Sequence, residues 1–277
     1  MNHEKMPPLS PDGDDEAPPE DFLAALLTAC GLAFADGAPA ALHRALDLFA
    51  RAALLEETRP EPHLGLAVCY ANLGDEQRAI RHYDACLERG FGSGDYPRLV
   101  YEYDGSDGET WVVDIGLDHV LVWRAACHLS LEKMEAARRD VSRVSAPDDR
   151  DLQAEVSVLL ARIHLHEGDV DAAQQQLGRA LGFDPEHPDG HFVRGLIHER
   201  RGRLPEAMKA FSRAIRLDAY APEFRIARAR VCAASGDPRH AQADLQKAEA
   251  LLAQQLPQPD LDTQIARLRA QLERARR

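Results

Sequence analysis

Apolar residues along this chain recur in steps of three and four, and short turns interrupt them at even intervals. After Asp21 the run Phe22, Leu23, Leu26, Leu27 has helical spacing, breaks at Gly37-Ala38-Pro39, and resumes through Leu42, Leu46 and Phe49. Residues three and four apart share a helix face, so this predicts a short helix, a tight turn and a second short helix. The same unit recurs downstream. His166-Glu167-Gly168-Asp169, Arg201-Gly202-Arg203 and Ser235-Gly236-Asp237 read as turns between paired helices.

Aligning those turns reveals a fixed period. Gly168, Gly202 and Gly236 are 34 residues apart, and so are Ala173, Ala207 and Ala241. The interval holds again for Leu177, Phe211 and Leu245, for Ala180, Ala214 and Ala248, and for Ala161, Gly195 and Ala229. A constant interval of this length predicts stacked supersecondary units. The slots make physical sense. A small residue at 161, 195 or 229 lets two helices approach closely, and a large one at 177, 211 or 245 fills the next gap. Glycine inside a helix costs about 1 kcal/mol against alanine, so Gly195 predicts a tight contact. The turn glycines accept the positive φ at which helices end.

This pattern resembles the tetratricopeptide repeat family. Gly195, Gly202, Ala207, Phe211 and Ala214 occupy its glycine, alanine and aromatic slots, and Asp184-Pro185 matches its repeat-ending dipeptide. An earlier copy reads Leu66-Ala67, Tyr70, Gly74-Asp75, Ala79 and Tyr83. A looser one runs from Asp118 to Asp149 through Ala125, Ala137 and Val141, and the opening pair spans Asp21 to Glu57. The family's frequent tryptophan slot holds His63, Ser157, His191 or Arg225. The resemblance implies an all-α fold, a solenoid of helix-turn-helix repeats wound into a superhelix.

The period fails between Gly90 and Gly116. Leu99-Val100-Tyr101-Glu102-Tyr103 and Thr110-Trp111-Val112-Val113-Asp114 flank an Asp/Gly-rich turn, which predicts a β-hairpin. The expected organisation is a Pro-rich acidic disordered tail at 1–20, repeats at 21–90, the hairpin insertion at 91–117, repeats at 118–255, and a capping helix at 256–277. That last helix carries Leu261, Ile265, Leu268 and Leu272 on one stripe and Arg267, Gln271 and Arg274 on the other face. A polar-backed end helix suits a cap, or a contact with a second copy.

Composition narrows the function. The chain has 277 residues, 6% aromatic, with a net charge of -13. Residues 188–277 nevertheless hold 17 lysines and arginines against 11 aspartates and glutamates, so the front is acidic and the tail basic. The overall charge opposes general nucleic-acid binding. Five cysteines, Cys30, Cys69, Cys86, Cys127 and Cys232, form no C-x-x-C pair and sit among apolar helical residues, which points to a reducing, cytoplasmic compartment. No stretch is apolar enough to span a membrane, and no signal peptide is visible at the N-terminus.

Catalytic signatures do not emerge. Gly92-Ser93-Gly94 lacks the context of a nucleophile elbow, phosphate-cradling glycine motifs are missing, and His198-Glu199 is not followed by a second histidine in metalloprotease spacing. His164 and His166 diverge on their helix. His187 and His191 straddle a Pro-Asp-Gly turn, and Asp104, Asp107 and Glu109 depart from calcium-loop spacing. The expectation is no enzyme, no metal and no cofactor.

In the resembling family the first helix of each pair lines a concave groove. Carried over slot by slot, this implies a groove of Val122, Ala126, Val158, Arg162, Phe192, Leu196, Arg200, Ile226 and Arg230. It would be an apolar strip flanked by arginines, suited to a protein or peptide segment with apolar anchors and acidic groups. Family members that clamp a C-terminal carboxylate use lysine and asparagine, whereas Leu64, Val68, Val122, Val158 and Phe192 stand in those slots here. The resemblance therefore implies a scaffold, adaptor or chaperone. Two alternatives are an RNA-binding helical repeat using the basic C-terminal half, and a non-catalytic regulatory subunit of an enzyme complex.

Overall fold

The computed structural model describes residues 39–104, 110–145 and 148–275. The predicted tail, the helix beginning at Asp21, Cys30 and the hairpin turn at 105–109 lie outside them. The described residues form twelve helices and one two-stranded sheet. Contacts divide the chain into two compact units, Met1–Leu131 and Glu132–Arg277.

In the first unit the elements are α1 (Pro39–Leu55), α2 (Glu61–Asn72), α3 (Glu76–Glu88), β1 (Arg98–Asp104), β2 (Thr110–Gly116) and α4 (Leu117–Ser130). Leu42, Ala45, Phe49 and Ala52 form the buried stripe of α1, while Leu46, predicted on that stripe, is half-buried. Phe49 lies against Gly65, where a Cβ would meet its ring at 2.2 Å. Only glycine permits that approach of α1 to α2. Asp75 caps α3 by accepting from the Arg78 amide, as N-terminal aspartates do. Arg124 of α4 donates to Asp84 of α3 at 2.7 Å.

Tyr83 is buried beside Cys69, Cys86 and Cys127. Burial pushes the thiols of Cys69 and Cys127 up to about 12, and that of Cys86 upward as well. The strands pair antiparallel, with Leu99 opposite Ile115 and Val100 opposite Asp114. Alternation sends Leu99 and Ile115 into the core and leaves Val100 and Val112 exposed.

The second unit comprises α5 (Met134–Val141), α6 (Arg150–Glu167), α7 (Val170–Phe183), α8 (Pro188–Arg200), α9 (Leu204–Leu217), α10 (Pro222–Ala234), α11 (Pro238–Leu252) and α12 (Pro259–Ala275). The division between units falls between α4 and α5, the two helices of the predicted 118–149 copy. Pairs α6/α7, α8/α9 and α10/α11 repeat one geometry, turning at Gly168, Gly202 and Gly236 with φ of 84°, 71° and 77°. Asp169 and Asp237 cap the helices that follow two of these turns.

The small and large slots meet as their spacing predicts. A Cβ on Gly195 would lie 2.4 Å from the fully buried Phe211 ring. Arg228 pins three helices together. Its Nε and Nη2 donate to both oxygens of the buried Asp244 at 2.7 and 2.6 Å, and Nη1 donates to the Ser212 hydroxyl at 2.9 Å. A bidentate fork of this kind satisfies both charges in a place where an unpaired one would be costly. Finally, Ile265, Leu268 and Leu272 of α12 close the core formed by Ile226, Ala229, Leu245 and Ala248. The apolar stripe of α12 is thus spent inside its own unit, and the face bearing Arg267, Gln271 and Arg274 is exposed.

Candidate functional face on the first helices

The sequence places nine residues on the first-helix face. Val122 and Ala126 belong to α4 in the first unit; the other seven belong to the second unit. Val122, Val158 and Ile226 are each 1% exposed, which corrects the expectation that they line an open groove. The reason is packing between consecutive first helices. Val158 of α6 shares a core with Val193 and Ile197 of α8, and Ile226 of α10 sits beneath α12. Ala126 is half-buried.

Phe192 occupies the same slot but is covered only in part. Its ring stacks on Phe224 at 4.8 Å and tilts against Phe211 at 5.6 Å, and the residue remains half-buried. Leu196, one turn on, is half-buried too, Arg162 is half-buried, and Arg200 is exposed. Arg230 is already engaged. Its Nε and Nη2 donate to the two carboxylate oxygens of Glu199, each at 2.7 Å. The expected apolar strip therefore contracts, in the second unit, to Phe192 and Leu196 on α8.

A row of carboxylates accompanies it, unforeseen in the sequence reading. Glu155, Asp189 and Glu223 stand on α6, α8 and α10 at the same 34-residue interval as the core alanines. Aligning acidic positions alongside alanines would have found them. Glu155 lies 3.3 Å from His187 Nε2. His187 Nδ1 accepts from the Gly190 amide and so caps α8, which leaves the proton on Nε2, facing Glu155. Burial draws the His187 pKa down, but the hydrogen bond and charge of Glu155, with Asp189 and Asp184, outweigh it and hold the imidazole above its usual value.

Burial raises the Asp189 carboxyl; Glu155 and Asp218 add to the rise, while Arg162 and His187 oppose it. Glu223 is pushed up to about 7, first by burial and then by Asp189 and Asp218, against its own backbone hydrogen bond and Arg162. Yet the Glu223 side chain is open to solvent. The histidines that drew attention in the sequence serve the framework: His187 caps α8, and His191 Nε2 contacts the Pro185 carbonyl at 3.0 Å. Among the described residues no three His, Cys, Asp or Glu side chains are grouped to hold a metal.

Paired helices at a constant interval, with small-against-large packing at each crossing, define an α-helical repeat protein. Models of the tetratricopeptide repeat match residues 158–222 and 63–89, so the chain carries tetratricopeptide repeats in both units. No curated protein sequence matches it. Among solved structures it is similar to the human IFIT1 dimer with m7Gppp-AAAA, with a TM-score of 0.59 at 16% identity, over 83% of this chain and 49% of that one. The APC/C hetero-tetramer Cut9-Hcn1 gives 0.58 at 14%, over 92% and 43%. A thermophilic TPR protein of Thermus thermophilus gives 0.50 at 22%, over 76% and 98%. The chain thus spans less than half the length of the first two, and likeness at these identities speaks for the fold alone. No helix among the described residues is long and apolar enough to cross a membrane.

Proposed function

We propose that the chain is a non-catalytic protein-interaction scaffold, an adaptor or chaperone, that holds a segment of a partner against the first helices of its second unit. The observation that carries this reading is the half-buried pair Phe192 and Leu196 on α8, inside the matched repeats, with Arg162 at the Leu196 slot of α6 and Arg200 one turn further along α8. Tertiary packing has left these two large apolar residues partly open on a helix otherwise well covered, and a partner side chain would complete their burial. The fold of IFIT1 invites an RNA reading, but Glu155, Asp189 and Glu223 project from the same helices and oppose a phosphate backbone.

The test is site-specific photocrosslinking in the native cell. A photoreactive amino acid at Leu196 is expected to trap a discrete partner, and the same group at the exposed Arg216 of α9 is not. Equal trapping at both positions, or none at Leu196, removes this face as the binding surface.

A further inference from the structure

The charges around Phe192 and Leu196 indicate what kind of segment lies there. Elsewhere in the second unit several carboxylates have cationic mates: Glu199 has Arg230, Asp244 has Arg228, Asp171 has Arg201, Glu186 has Arg213 and Glu167 has Arg138. On the first-helix face the balance fails. Glu155, Asp189, Asp218 and Glu223 are close enough to act on one another, and the cations acting among them are Arg162 and His187. Among the described residues no ion pair is made by Asp189 or Glu223. Burial first, and then the like charges near them, raise the proton affinity of both Asp189 and Glu223.

We infer that the segment held against Phe192 and Leu196 is cationic, its lysines or arginines lying along Glu155, Asp189 and Glu223. This rests on the reading of that face as the binding face, and it reverses the acidic partner expected from the arginines, since Arg230 is occupied by Glu199. The repeat also sets a spacing. Neighbouring packed helices lie about 8–10 Å apart, and an extended chain advances roughly 3.3 Å per residue. A basic residue at every third position of an extended segment would therefore meet successive carboxylates, with apolar residues between them directed at Phe192 and Leu196.

Three fluorescein-labelled peptides of 13 residues, added to the full chain, test this by anisotropy. They share the same leucines and differ at every third position, which is lysine, serine or glutamate. The lysine peptide is expected to bind at least about tenfold more tightly than the serine peptide, and the glutamate peptide most weakly, with the differences shrinking as salt rises. The triple variant Glu155→Gln, Asp189→Asn, Glu223→Gln, checked for helicity by circular dichroism, should lose that tenfold and leave the serine peptide unchanged. Glu223→Asp, which keeps the charge, should bind as the wild type does.

Equal binding of the lysine and glutamate peptides, or a lysine preference that survives the triple variant, overturns the cationic occupant while the binding face stands. A lysine peptide whose affinity is unmoved by Leu196→Ser binds elsewhere, and that result overturns the face itself. Failure of all three peptides to bind overturns both.

Discussion

Arg230 and Glu199 hold each other through two parallel hydrogen bonds, Nε to Oε1 and Nη2 to Oε2, both 2.7 Å. The guanidinium that the repeat pattern offers to a ligand is spoken for within the molecule. A partly exposed fork of this kind couples by about 0.5–1 kcal/mol. A double-mutant cycle with Arg230→Ala and Glu199→Ala, read from urea midpoints, should return that value. The functional corollary is sharper: Glu199→Gln loosens Arg230, so the glutamate peptide should bind this variant better than it binds the wild type. If Arg230 already served an acidic ligand, Glu199→Gln would change little.

Gly195 faces the fully buried ring of Phe211. Alanine there overpacks a core with no slack, and Gly195→Ala should cost about 1–3 kcal/mol. Gly178 in α7 is the natural control, because a Cβ there meets nothing within 4 Å. Gly178→Ala should stabilise by about 0.5–1 kcal/mol through helix propensity alone. Chemical denaturation of the two variants should move in opposite directions. A shift of the same sign in both would mean that the Phe211 contact does not govern that helix pair.

His63 and His82 approach Nδ1 to Nδ1 at 3.1 Å, and His82 is stacked between His63 and Tyr70. One nitrogen must donate and the other accept, so at least one of the two imidazoles must be neutral. Burial pushes His82 down to about 4, with the charges of His63, Arg81, Arg89 and Arg78 adding to the shift. Between the unfolded value near 6.5 and that folded value, the unfolded chain binds the extra proton. Stability is therefore present above about pH 6.5 and lost as the pH falls toward 4, by on the order of 1–3 kcal/mol. Thermal midpoints at pH 7, 5.5 and 4 should show a steeper decline for the wild type than for His82→Gln.

Glu223 behaves in the opposite sense to an ion-paired carboxylate. Its folded pKa is raised to about 7, so the folded state binds the extra proton between roughly pH 4.5 and 7. The contribution to stability is complete below the unfolded value and lost as the pH rises through the folded one. Glu223→Gln removes that loss and should melt higher than the wild type at pH 8, with the gap closing near pH 4. Asp189→Asn should lower the Glu223 midpoint in a carboxyl titration followed by NMR, because Asp189 is the foremost like charge acting on it.

The repeat was readable because its packing slots are covalently regular. Ala161, Gly195 and Ala229 must be small, and Leu177, Phe211 and Leu245 must be large, wherever one helix crosses its partner. The strands were readable from alternation, with Leu99 turned inward and Val100 outward. The first-helix face was harder to read, because periodicity says which residues share a face but not how far the next helix overlaps it. Val158 and Ile226 disappear beneath α8 and α12 while Phe192, in the same slot, stays half-buried. Pairing across turns, as in Arg230 with Glu199 or His63 with His82, depends on side-chain reach that spacing does not encode.

The thiols of the first unit carry one more consequence. A thiol attacks alkylating reagents as its thiolate, and Cys69, Cys86 and Cys127 are buried with that form suppressed. While the unit stays closed these sulfurs are chemically mute, so the pace at which they take up iodoacetamide is a clock for its breathing.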